Sequence, residues 1–295
     1  MIPLPKASPL DRVLLPISIV SRKLPADIYQ DRNEEHIVPA ILPIELDKGL
    51  LNRSFYELEE AFEGQQGLAE LVTSLAEKTA SFRRLLLEDQ QPLTEVQMEH
   101  LVAQMFTARR KIWPLIQEQG PGKVGELMRE LLVGHGDLTQ RMARFDEALP
   151  ATGKVKRVVR DMGAEVLHFS DPERYPLMTR WVWDQNTTSG AIREFIRGGD
   201  YLTDFPFGES PEMFEGLRQW MRDALLELGV YRDVPYMVDI ILAHQYSQYV
   251  RAMAEGFLRS DFGGQTDFTE QIRKLLGVEV HRRMGGSRIK RDDIH

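Results

Sequence analysis

Gly163–Asp184 reads GAEVLHFSDPERYPLMTRWVWD, an apolar run that stops at Asp171-Pro172 and resumes, after a second proline, with two tryptophans. Proline fixes its own φ and pushes the preceding residue out of helical dihedrals, so Asp171 and Tyr175 mark a rigid corner at the end of a helix. Beyond Pro176 the pattern predicts a second helix that delivers Trp181, Val182 and Trp183 to a neighbour. Two residues along a helix turn about 200°, so one tryptophan is expected in the core and the other on the surface. The corner positions a large aromatic area but carries no chemistry of its own.

Helical spacing extends on both sides of this corner. Leu51, Phe55, Leu58 and Phe62 form one apolar stripe, and Leu68, Leu71, Leu75 and Phe82 form the next. Thr94, with Gln97 three residues on, signals an N-cap, and the helix it opens is expected to run to Trp113-Pro114. Gly120-Pro121-Gly122 opens another helix that Gly134-His135-Gly136 closes, and Leu138–Leu149 continues helically. Past the corner, the readings are a short helix over Ser189–Ile196, a helix from Ser210-Pro211 to Gly229, a long one from Val234 to about Ser260, and a last one over Phe268–Leu276. The fold class is all-α, a multi-helix globular bundle.

Pro3, Pro5, Pro9, Pro16, Pro25, Pro39 and Pro43 interrupt short apolar runs near the amino terminus. That pattern predicts an extended proline-rich arm over residues 1–49, packed on the helical body because its runs are too apolar for a solvated tail. Residues 50–149 and 150–281 are the two helical parts, and 282–295 read as a polar, mobile tail.

The 295-residue chain is 42% hydrophobic and 28% charged, with a formal net charge of −8. That balance disfavours non-specific attraction to nucleic acid. With no cysteine, disulfides, thiolate nucleophiles and Cys-ligated zinc or iron–sulfur centres are excluded. The start lacks a basic region followed by an unbroken apolar one, and no long uncharged apolar window occurs, so a cytoplasmic protein without a membrane span is expected.

Candidate chemistry is sparse. Glu-x-x-His pairs of the di-iron type are missing, and His135 with Asp137 reads more readily as a helix end than as a metal site, so no metal and no cofactor are expected. Asp239 and His244 lie about 140° apart on their helix and do not pair within it. His244 through Tyr249 nevertheless makes a polar and aromatic stretch inside an apolar helix, suited to lining a cleft. His168 and Tyr175 flank the corner, and Lys154, Lys156, Arg157 and Arg160 form a basic cluster after Gly153. Residues 51–100 balance them, with ten acids against four bases (Arg53, Lys78, Arg83 and Arg84).

Arg160–Asp184 resembles, over about 25 residues, the core of helix-hairpin-helix DNA glycosylase-like proteins. The nearest counterparts of that family's glycine hairpin are Leu149-Pro150-Ala151-Thr152-Gly153 and Asp161-Met162-Gly163-Ala164, and its catalytic aspartate falls near Thr179. The resemblance therefore implies nucleic-acid binding without glycosylase chemistry. HFSDPERYPLMTRWVWD together with GVYRDVPYMVDIILAHQYSQYV resembles an uncharacterised helical protein associated with the heterodisulfide-reductase-like sulfur-oxidising system of bacteria. A cysteine-free member beside thiol-carrying partners implies action by binding.

Three function classes follow. The first is a non-catalytic accessory or scaffold protein that binds a protein partner, or a second copy of itself, through the arm or the Trp181/Trp183 surface. The second is a nucleic-acid binder using Lys154, Lys156, Arg157 and Arg160. The third is an enzyme with a pocket around His168, Tyr175 and His244, Tyr249 being a further candidate binding residue.

Overall fold

The computed structural model describes residues 37–198, 205–257 and 268–279. Ten α-helices hold most of these residues, and among them there is no strand, only an isolated antiparallel bridge between Asp184 and Ser189. The chain is all-α.

Local chemistry starts and stops the helices. The Asp47 carboxylate accepts from the Gly49 N–H to open α1 (Lys48–Ala61), and α2 (Gln65–Arg83) widens into a π turn over Arg84–Glu88. Thr94 and Gln97 form a complete capping box at the start of α3 (Glu95–Ala103). α3 does not reach Trp113, because the Thr107 N–H and hydroxyl donate to the Glu165 carboxylate at 3.2 and 2.6 Å and draw the backbone into turns. Helix resumes as α4 (Trp113–Gln119), then α5 (Pro121–Val133) and α6 (Leu138–Ala148), the last capped by Asp137.

α7 (Gly153–Ser170) is the centre of one layer. Every residue from Asp161 to Ser170 is buried, with α2, α5 and α6 packed around it. α9 (Val234–Phe257) is the second centre, contacted by α1, α2, α8 (Pro211–Glu227) and α10 (Phe268–Leu275). The stripes read from the sequence form the core, including Leu51, Leu58, Leu71, Leu75 and Phe82, each excluded from solvent. Burial of each such side chain contributes roughly 1.5–3 kcal/mol.

The corner departs from expectation. α7 ends at Ser170 as the prolines require, but no helix follows Pro176. The Thr179 carbonyl accepts from both Val182 and Trp183, closing a single turn, while Ala191 and Ile192 donate to the carbonyls of Trp181 and Val182. The tryptophan segment is thus bonded sideways to the next stretch of chain, which then forms a 3₁₀ turn over Ala191–Phe195. Gly190 makes this possible: at φ +132°, any Cβ there would lie 2.5 Å from the Val182 carbonyl oxygen.

Residues 37–46 run extended over α8. The Ala40 N–H donates to Glu212 O at 2.8 Å, Leu46 is buried, and Ile37, Leu42 and Ile44 pack on the core. The remainder of the expected arm (1–36), the tail 282–295 and the last turn of the helix read to Ser260 lie outside the described residues. No described helix is long and apolar enough to cross a membrane.

Candidate functional site

Three helices, α2, α7 and α9, and the turns after α3 and α10 bring a cluster of charged side chains into the interior. Lys78 of α2 is wholly buried, its ammonium 3.2 Å from the centre of the Phe169 ring and 2.8 Å from the Leu276 carbonyl oxygen that accepts from it. Glu165 of α7 lies 3.9 Å away and accepts from Thr107. Arg109, also buried, faces Glu279 at 3.4 Å. His168 of α7 is held at both ring nitrogens, by the Tyr175 carbonyl and by the Asp239 carboxylate of α9, each at 2.8 Å.

Burial controls the electrostatics here. Loss of hydration pushes the Lys78 ammonium down to about 7, opposed by the nearby carboxylates of Glu165 and Asp239. The same loss raises Glu165, against the pull of Lys78 and the Thr107 hydrogen bonds. A lysine that gives up its proton near neutrality is the kind that serves as base or amine nucleophile elsewhere. In this fold Leu276 and Gly277 close over it, and a Cβ on Gly277 would sit 1.9 Å from the Gln104 carbonyl oxygen.

His244 occupies a different position. Its Nδ1 lies 2.7 Å from Ser54 Oγ, its Nε2 lies 3.5 Å from a Glu57 carboxylate oxygen, and the Phe268 ring meets it edge-on. Desolvation pushes His244 down to about 4, so it is neutral at pH 7. Serine, histidine and carboxylate stand in hydrolase order, but Ser54 is fully buried on α1 and a nucleophile needs an approach for its substrate. The small depression that His168 and Asp239 border does not include His244. The pocket expected around His168, Tyr175 and His244 does not gather the two histidines: α9 holds Asp239 and His244 on different faces, the first engaged by His168 of α7 and the second by Ser54 of α1.

The tryptophan expectation is corrected as well, since both rings are buried. Trp181 packs against Tyr246, which continues to the half-buried Tyr249. Trp183 stacks on Phe205 and Phe207 and donates its indole N–H to the Phe207 carbonyl at 2.9 Å. Sideways bonding of this segment, in place of a helix, is what covers both rings. Neither offers the free surface that the binding reading assigned to the pair.

The basic cluster is where the sequence placed it. Lys154, Lys156, Arg157 and Arg160 are all exposed on the first turns of α7. Arg157 and Arg160 rim a small surface cleft, with Arg180, Asn186 and Glu209 on its walls and Met178, Trp183 and Phe214 on its apolar side. Carboxylates orient the guanidinium groups: Asp161 accepts from Arg180 Nε at 2.8 Å, and Glu209 pairs with Arg160 at 3.0 Å. Burial raises Asp161, and its bonds with Arg180 oppose the rise.

Sequence reading missed Lys78, Glu165 and Arg109. The available signal was positional: Lys78 stands between Leu75 and Phe82 on an apolar stripe, and Glu165 between Met162 and Phe169. Among the described residues, no three His, Asp or Glu side chains gather as metal ligands. Comparison with protein-family models, curated proteins and solved structures gives no match to this chain.

Proposed function

We propose that this chain is a helical accessory or scaffold protein that acts by binding a protein partner through the arginine-rimmed cleft between the start of α7 and the corner segment. The observation that carries the reading is the composition of that cleft: Arg157, Arg160 and Arg180 beside the half-buried Met178, with the buried Trp183 and Phe214 forming its floor. Arginine is among the side chains enriched where binding energy concentrates at protein interfaces. Guanidinium groups already oriented by Asp161 and Glu209 lose less freedom on docking. The favoured ligand is an acidic segment with an apolar anchor. Likeness to the helical protein of the sulfur-oxidising system supports a partner from such an assembly.

A photo-crosslinking residue at position 157, used in native-host extract, identifies the partner; titration of that purified partner then tests the site. Arg157→Glu combined with Arg160→Glu is expected to weaken binding at least tenfold with the melting temperature kept within a few degrees. Unchanged affinity overturns the proposal. Exposed Lys154 and Lys156 beside the cleft favour nucleic acid as the second reading. Binding of a DNA duplex that weakens steeply with salt and is lost in the same variant would select it.

A further inference from the structure

We propose that the carboxy-terminal segment Phe268–Glu279 is a displaceable latch whose hold on the helical body is set by the charge on Lys78. The segment is a short helix with its own terminator. Gly277, at φ +70°, donates to the Lys274 carbonyl and Val278 donates to that of Arg273, a Schellman ending that turns the Leu276 carbonyl toward the body. That carbonyl accepts from Lys78 at 2.8 Å, Glu279 meets Arg109 at 3.4 Å, and the Phe268 ring closes on His244 at the other end. In two of the polar holds on the latch, Lys78 to Leu276 and Arg109 to Glu279, a buried basic side chain of the body thus reaches a group that the latch supplies.

The charge argument follows from what surrounds Lys78. Glu165 faces it from α7, Asp239 acts on it from α9 with His168 and Tyr236 around that carboxylate, Arg109 comes from the turns after α3, and Glu279 stands behind Arg109. Inside the closed structure desolvation lowers the lysine to about 7, whereas an ammonium reached by water returns toward 10.5. Release therefore takes up a proton between these two values, and the latch tightens as pH rises through that range. Glu165, raised by burial, has the opposite sign, and replacing Lys78 separates the two contributions.

Hydrogen exchange of the amides of 269–279, corrected for the intrinsic rate, tests this on the full chain. Between about pH 7 and about pH 9 the protection of these amides should rise by roughly tenfold to a hundredfold, since one proton per opening gives at most tenfold per pH unit. Lys78→Met should abolish the rise. Equal protection at both pH values in the native chain, or the same rise in Lys78→Met, overturns the proposal. If that variant does not fold, an NMR titration of the native chain decides: the Lys78 ε-carbon and the Gly277 and Val278 amides should share one midpoint near neutrality. A lysine midpoint above 9, or latch amides with no step at the lysine's midpoint, would also overturn it.

Discussion

Lys78 and His244 show how position alone changes a side chain's chemistry. Both sit among apolar neighbours, and in both cases desolvation disfavours the charged form. For His244 the consequence for stability has a definite sign. The unfolded histidine titrates near 6.5 and the folded one near 4, so the unfolded chain binds the extra proton between these values, and stability falls as pH drops through that window. The full loss is about 3 kcal/mol, from 1.36 kcal/mol per unit. Denaturant unfolding from pH 7 to 4 should show this slope, and His244→Gln should flatten it; an unchanged slope would mean that other groups carry the acid response. Trp181 and Trp183 supply the second test at this scale. With both rings buried, alanine at either position should cost about 3–5 kcal/mol in unfolding free energy. One variant with a native-like melt would restore the picture of a single exposed tryptophan.

Elements were legible where a local signal ends them and illegible where a distant partner does. Thr94 and Gln97 announce α3 through their own side chains, and Thr94→Ala should cost about 1 kcal/mol by urea unfolding. The end of α3 is set by Glu165, 58 residues from Thr107, and no pattern near Thr107 encodes it. Pro176 and the apolar run after it suit a helix, yet Ser189, Ala191 and Ile192 take the backbone bonds of that run. The basic residues at the start of α7 were legible because exposure of a charged turn is the default. Lys78 was not, because a long cationic side chain on an apolar stripe reads equally well as a surface residue whose stem alone is buried. The extended strap at 37–46 offers an element-scale test. At Gly216 of α8 a Cβ would sit 2.4 Å from the Ala40 carbonyl oxygen. Gly216→Val should therefore lift the strap, costing about 1–3 kcal/mol and raising the exchange rate of the Ala40 amide that donates to Glu212. Native-like exchange at Ala40 would show that the strap can shift without losing its bond.

At the scale of the molecule, the ionic cluster joins elements that are far apart in sequence. Lys78 comes from α2, Arg109 from the turns after α3, Glu165 and His168 from α7, Asp239 from α9 and Glu279 from beyond α10. α7 also packs on α5 and α6, across the boundary near residue 150 between the two helical parts. Removing either side of this arrangement leaves buried charge without a partner, which costs several kcal/mol and penalises any half-folded state. The expected behaviour is a single cooperative transition for the body, with calorimetric and van't Hoff enthalpies in agreement. Far-ultraviolet circular dichroism and tryptophan fluorescence should follow the same curve, because Trp113 reports from the first helical part and Trp181 and Trp183 from the second. Two separated transitions, or a fluorescence midpoint displaced from the helical one, would show that residues 50–149 and 150–281 fold as independent parts and that the shared charge cluster does not couple them.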